Sequence, residues 1–211
     1  MTTKPSTTAS PTNPLLHLSQ PPAALLQQQA SLPHRLVVSA FVFRTDPTRQ
    51  EDRLLILQRS ASERAFPHIW EIPGGSADAS DASVAVAVAR ELREESGLTL
   101  ARVVCAVGEG VEWMEGGTRW LKLGFIVEVE RGADGGEAGG GGGVEAVEVM
   151  LNPEEHQRYL WVVEEEVRAC QARGVKLDFN WHESRGAMLL AFDMKKQMRD
   201  SLPSAGFTGQ V

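Results

Sequence analysis

Residues 71 to 98 read EIPGGSADASDASVAVAVARELREESGL, and the run that decides the fold is Arg90-Glu91-Leu92-Arg93-Glu94-Glu95-Ser96-Gly97-Leu98. Glu91, Glu94 and Glu95 stand at i, i+3 and i+4, so on an α-helix their side chains project within one arc of about 100°. Like charges at these spacings cost roughly 0.2–0.5 kcal/mol per pair, and with only Arg90 and Arg93 nearby a bound cation relieves the cluster. Carboxylate oxygens are hard ligands, which suit Mg²⁺ or Mn²⁺. The plain alternative is a solvated charged helix face, the usual meaning of an Arg/Glu run.

Local signals favour a helix. Asp81 can cap its start, Ala82 to Ala89 is an alanine and valine run, and Gly97 is the expected stop. Ala85, Val88 and Leu92 form an apolar stripe beside the glutamates, able to anchor the helix while the carboxylates face a cleft. Ahead of it, Ile72-Pro73-Gly74-Gly75 ends a short apolar segment in a turn where glycine tolerates φ > 0 and lets a backbone carbonyl approach a metal or phosphate.

This combination resembles the Nudix hydrolase family, whose box runs from a glycine through a spacer and a glutamate to R-E-hydrophobic-x-E-E-x-G-hydrophobic, in a strand-loop-helix context. Gly75, Arg90, Glu91, Leu92, Glu94, Glu95, Gly97 and Leu98 match it. The loop is one residue longer than usual, and the early glutamate falls on Ala82, with Asp81 one position away as a partial substitute. The resemblance implies an α/β fold, a Nudix-type α/β/α sandwich with a central mixed sheet.

The rest of the chain accommodates one such domain. Its 211 residues are 42% hydrophobic, enough for a single core once the ends are set aside. A net charge of -7 argues against a partner that is a nucleic-acid polymer, which calls for a basic face. Small polyphosphates fit better, because a metal ion supplies positive charge locally. Cys105 and Cys170 lack CxxC spacing and read as isolated thiols of a reducing compartment.

Residues 1 to 33 are rich in Thr, Ser, Pro and Gln, carry Lys4 as their only charge, and are expected to be disordered. No 18-residue apolar run or signal pattern occurs, so neither a membrane span nor secretion is expected; a cytoplasmic location follows, with a mitochondrial one as a minor option. Residues 34 to 201 are expected to form the domain and 202 to 211 a flexible tail. Strands are expected at Arg35–Phe43, Leu54–Gln58, Arg102–Val107, Trp120–Val129, Val144–Leu151 and Tyr159–Val163. Glu115-Gly116-Gly117 reads as a turn, and the glycine tract 132 to 143 as a linker. Asn152-Pro153-Glu154-Glu155 has the form of a helix start, Glu164–Arg173 reads as a helix stopped by Gly174, and Ala187–Met198 as a closing amphipathic helix.

The resemblance also implies roles for individual residues. Glu91, Glu94, Glu95 and the Gly74 carbonyl are expected to hold Mg²⁺ (or Mn²⁺), with Arg90 orienting the glutamates. Gly75, Arg59 after the second strand, and Glu155 are expected to face the substrate, although Arg59 reads equally well as a strand-end surface charge and Glu155 reads more readily as a helix-dipole partner. His156, and each of Trp70, Trp113, Trp120 and Trp161, reads first as structural. The implied activity is hydrolysis of the diphosphate linkage of a nucleoside-diphosphate-X substrate by a pyrophosphohydrolase. The alternative is a catalytically weak Nudix-like nucleotide-binding or regulatory module. The partner is a small-molecule nucleotide or other diphosphate, with a homodimer as an open option.

Overall fold

The computed structural model describes residues 16–27, 35–46, 48–130, 148–179 and 181–201. Seven strands form one mixed sheet: β1 (Arg35–Asp46), β2 (Glu51–Arg59), β3 (Trp70–Glu71), β4 (Leu100–Ala106), β5 (Val111–Glu115), β6 (Thr118–Val129) and β7 (His156–Val162). Their order is β3-β2-β1-β6-β4, with β5 also on β6 and β7 on β2. The β1/β6 pair is parallel and the other pairs are antiparallel.

β1 changes partners along its length. Arg35 to Val42 pair with β6, while only Phe43 to Asp46 pair with β2. The edge left open beside its first half is filled by the loop that carries the glycines. Val38 N–H donates to the Gly75 carbonyl at 2.9 Å, Ala40 N–H to the Pro73 carbonyl at 2.8 Å, and Ala77 N–H to the Leu36 carbonyl at 2.9 Å.

Strand period separates two apolar layers. Leu55 and Leu57 join the layer beneath helix α2 (Val84–Ser96), whose Val84, Ala87, Val88 and Leu92 are buried against the sheet. Leu54 and Ile56 join the layer covered by the closing helix, Trp181–Asp200, through Met188, Ala191 and Phe192. A short helix at Glu164–Ala169 and a two-stranded hairpin, Gln171–Ala172 with Val175–Lys176, complete that side. The expected sandwich with a central mixed sheet is therefore the observed architecture. Among the described residues no helix is long and apolar enough to cross a membrane.

Several local expectations need correction. The cap of α2 is Ser83, whose Oγ accepts the Val86 N–H at 3.2 Å, and not Asp81, which turns inward to Arg90. Of residues 1 to 33, expected to be disordered, 16–27 are described and ordered, and 1–15 and 28–33 lie outside the described residues. Leu16–Ser19 forms a 3-10 turn and Pro22–Gln27 a helix, α1, with Leu18 and Leu25 buried in the α2 layer and the Gln20 carbonyl accepting the Val84 N–H at 2.9 Å. Asn152 to Glu155 form a single turn, closed by Glu155 and His156 N–H groups on the Asn152 carbonyl, because β7 begins at once with His156. The helix expected to run to Arg173 stops at Ala169, where Cys170 adopts φ 51° and the chain reverses into the hairpin. Residues 148–151 form no strand, although Val149 is buried. The glycine tract, residues 144–147 and the tail from 202 onward lie outside the described residues.

Candidate functional site

The three glutamates of α2 share a side of the helix but not an environment. Glu95 is 5% exposed and its Oε2 accepts the Gly74 N–H at 2.7 Å. Burial pushes its carboxyl well above the ordinary carboxylate range; the Gly74 N–H opposes this, and Glu71, Glu91 and Glu155 add to it. Burial also raises Glu91, with Arg90 opposing and Glu94 and Glu155 adding. Glu94 faces outward, its side chain 53% exposed.

Arg90 ties the helix to the loop. Its Nε and Nη2 donate to the two carboxylate oxygens of Asp81 at 3.1 and 3.0 Å, Nη2 also to the Ser76 carbonyl at 3.1 Å, and Nη1 to Glu91 at 2.8 Å and Glu94 at 3.0 Å. Asp81 is buried and accepts the Asp78 N–H as well. A two-point Arg–carboxylate contact fixes orientation as well as charge, so Arg90 is held where it can set the rotamers of Glu91 and Glu94.

The two glycines answer to different neighbours. At Gly74, φ is +152°, and a Cβ would lie 2.1 Å from the Val38 carbonyl oxygen, inside the sheet edge. At Gly75 a Cβ would lie 2.5 Å from Glu91 Oε2, so glycine there leaves the carboxylate its room.

A second group of side chains arrives from distant sequence. Glu95, Glu155 and His156 each present a ligand atom within 4.8 Å of the others. His156 is 1% exposed, with Nε2 3.2 Å from Glu71 Oε1 and Nδ1 buried without a partner among the described residues. Arg59 Nη1 donates to the same Glu71 oxygen at 2.9 Å, Nη2 to Glu63 at 2.7 Å and Nε to the Ala65 carbonyl at 3.0 Å. Burial alone would raise the Glu71 carboxyl, but His156 and Arg59 overrule it and hold it below the ordinary value. Arg59, expected to face the substrate, thus spends its described contacts on protein groups and braces Glu71.

Beyond Glu71 opens a pocket of about 440 Å³ between β1, β5, β6 and the closing helix. Half-buried Lys122 lines it, as does Trp113, whose indole stacks on Trp120 with ring centres 5.7 Å apart. Burial pulls the Lys122 ammonium below the ordinary lysine value, with Glu71 and Glu95 opposing. Trp70 and Trp161 are core residues, as expected.

Glu71 and Lys122 were not legible as site residues, yet each left a trace in the sequence. Glu71 directly precedes the Ile-Pro-Gly-Gly turn, and Lys122 is a charge set between the apolar residues of WLKLGFIV. The combined donor set, carboxylate oxygens with one imidazole nitrogen around the buried Glu95, matches the chemistry of a divalent cation.

The NUDIX domain model matches residues 33–174. A search of curated proteins returned no match. Among solved structures, a MutT protein from Methanosarcina mazei Go1 is 24% identical with a TM-score of 0.53, over 80% of this chain and 99% of its own. A C. elegans Ap4A hydrolase in a binary complex is 17% identical with a TM-score of 0.55, over 77% and 98%. The NUDIX domain of Shewanella oneidensis NrtR, complexed with ADP ribose, is 17% identical with a TM-score of 0.53, over 82% and 98%. These likenesses agree in fold, and with the matched domain spanning most of the chain and its box residues gathered at one site, the protein belongs to the Nudix family, hydrolases of pyrophosphate bonds.

Proposed function

We propose that the chain is a Mg²⁺-dependent pyrophosphohydrolase that cleaves the diphosphate linkage of a nucleoside-diphosphate-X substrate, with Mn²⁺ as a substitute ion. The observation that carries this reading is Glu95: a carboxylate almost wholly removed from water, among Glu71, Glu91 and Glu155, with one backbone N–H as its hydrogen-bond donor. Such a cluster is costly without a cation.

Glu91, Glu94 and Glu95 with the Gly74 carbonyl would hold the ion, and Glu155 presents a carboxylate oxygen within 4.8 Å of Glu95. A divalent ion held there would supply positive charge to the diphosphate and lower the pKa of a water molecule. Arg90, locked on Asp81, keeps Glu91 and Glu94 in place during turnover. Gly75 gives the Glu91 carboxylate its position, and Arg59 keeps Glu71 oriented against His156. The reaction adds water across one P–O–P bond, one oxygen leaving with each phosphoryl product. The partner is a small nucleotide, and the two free thiols, Cys105 and Cys170, fit a cytoplasmic setting.

The test is a panel of nucleoside-diphosphate-X compounds with Mg²⁺, read as phosphate or pyrophosphate release. Glu94→Gln and Glu95→Gln should each lose most of the Mg²⁺-dependent turnover, while Arg93→Gln, on an exposed face of the same helix, keeps it. Parental rates and parental Mg²⁺ binding in both glutamine variants would return the helix to a plain charged surface.

A further inference from the structure

The pocket beyond Glu71 has an unusual polarity for its size. At about 440 Å³ it lies within the range of small-ligand sites. Val37, Phe41, Val107, Val111, Leu190 and Trp113 make its walls apolar and aromatic. Lys122 stands in one row of the sheet between Val37 on β1 and Val111 on β5, so its side chain rises from the pocket floor. Two residues along β6, Gly124 leaves space that Phe41 occupies, since a Cβ there would lie 2.6 Å from the Phe41 ring. The floor is thus a flat aromatic and aliphatic surface beside one ammonium.

Lys122 forms no hydrogen bond or ion pair with another described side chain, and Glu71 and Glu95 act on its charge from a greater distance. The ammonium of this pocket-lining residue thus brings three N–H donors with no acceptor among the described side chains. An anion would satisfy these donors but not the rest of the lining. A phosphate or carboxylate there would meet Glu71 and Glu109 on the same lining and would be only half neutralised between apolar walls. A neutral ring meets both demands: its faces suit the apolar walls, and an acceptor oxygen on its edge suits the ammonium. A ring edge bearing an amine would set donor against donor in a partly dry site, leaving both unsatisfied.

We propose that this pocket takes the ring of the substrate's organic moiety, and that Lys122 selects rings carrying a carbonyl oxygen, the keto form of a nucleobase, over rings carrying an exocyclic amine at the same edge. The proposal deepens the hydrolase reading by naming the substrate class, and it rests on that reading for what the pocket serves. Glu71 lines the pocket and also bonds His156 and Arg59, which sets the ring next to the acidic cluster.

Hypoxanthine and adenine differ at C6, oxo against amino, with the matching change at N1, so IMP and AMP form the discriminating pair. Neither contains an anhydride bond, and their binding to the full-length protein, read by titration calorimetry and by quenching of tryptophan fluorescence, is independent of turnover. IMP should bind about tenfold more tightly than AMP, the value of one good lysine–carbonyl contact. Lys122→Met, of similar length and without donors, should bring the ratio near one, and Lys122→Arg should keep a preference for IMP. ITP and ATP hydrolysis with Mg²⁺ should follow the same ratio in kcat/KM. Equal binding of IMP and AMP by the parent protein overturns the proposal without any variant, as does a preference that survives in folded Lys122→Met. Loss of all turnover alongside a retained IMP preference would count against the hydrolase reading and in favour of this one.

Discussion

Replacing Leu25 by alanine should destabilise the whole domain, although Leu25 lies in a Pro- and Gln-rich stretch outside the matched family region. Its side chain is 1% exposed and packs in the layer that holds Leu36, Val38, Val84, Ala87, Val88 and Leu92. Truncating a fully buried leucine costs about 2–5 kcal/mol, the spread reflecting how far the surroundings collapse. For a chain of this length each kcal/mol moves the melting temperature by about 2–4 °C, so the variant should melt roughly 4–20 °C below the parent. The assay is thermal unfolding followed by circular dichroism, with Ala23→Ser on the exposed face of the same short helix as control, expected within about 0.5 kcal/mol. Deleting residues 1 to 27 should cost more, because Leu18 and the Gln20 carbonyl that takes the first N–H of α2 go with it. A Leu25→Ala protein that melts within a degree or two of the parent would mean that the segment does not pack on the domain, and the account of how α2 is braced would fall with it.

Two further outcomes test the acidic cluster. Because the Glu95 carboxyl is raised above its ordinary value of 4.5 by burial, the folded state holds that proton more tightly than the unfolded chain; the associated stability is present below the unfolded value and is lost as pH rises through the folded one. Metal-free protein should therefore lose stability as pH climbs above the ordinary carboxylate range, Glu95→Gln should flatten that fall, and added Mg²⁺ should restore stability most at the higher pH; a pH-independent melting temperature in the parent would contradict the assignment. Gly75→Ala should weaken Mg²⁺ binding and turnover by about 1–2 kcal/mol through displacement of the Glu91 carboxylate, with the melting temperature nearly kept, whereas Gly74→Ala should fail mainly in folding because its added Cβ meets the Val38 backbone; calorimetric Mg²⁺ titration and unfolding scans separate the two, and equal losses of stability would refute the distinction.

The parts of the site that were legible in the sequence are those whose partners lie within a few turns. The glutamate spacing, the stop at Gly97 and the Gly-Gly turn are local rules, and α2 obeys them. Leu54 to Leu57 form an unbroken apolar run, legible as a strand from four successive residues, and both layers of the sandwich cover it. His156 and Glu155 could not be assigned in this way. They reach Glu95 because β7 pairs with β2 in a register that sets His156 opposite Arg59, a pairing that no local pattern specifies. The Asn-Pro-Glu-Glu stretch carries signals common to a helix start and a tight turn, and the strand directly after it decides for the turn. Leu18 and Leu25 are too few and too widely spaced to form a periodic stripe; their burial depends on a groove that exists only once α2 lies on the sheet.

The seam between β1 and residues 73 to 77 bears on how this enzyme could diversify. With Pro73, Gly75 and Ala77 bonded to β1, the glycine loop behaves as a short extra strand, and its opening free energy is that of the sheet and not of a surface loop. Beyond this seam, Asp78, Ser80 and Asp81 close a small hydrogen-bonded knot of their own. Insertions or deletions can therefore accumulate in that knot without shifting Gly74 or Gly75 relative to Glu91 and Glu95. The turn at Gly108 to Val111 and the helix at Ala187 to Leu190 line the pocket from elements that take no part in this seam, so substitutions there reshape the pocket beside Lys122 and leave the glycine loop bonded as it is.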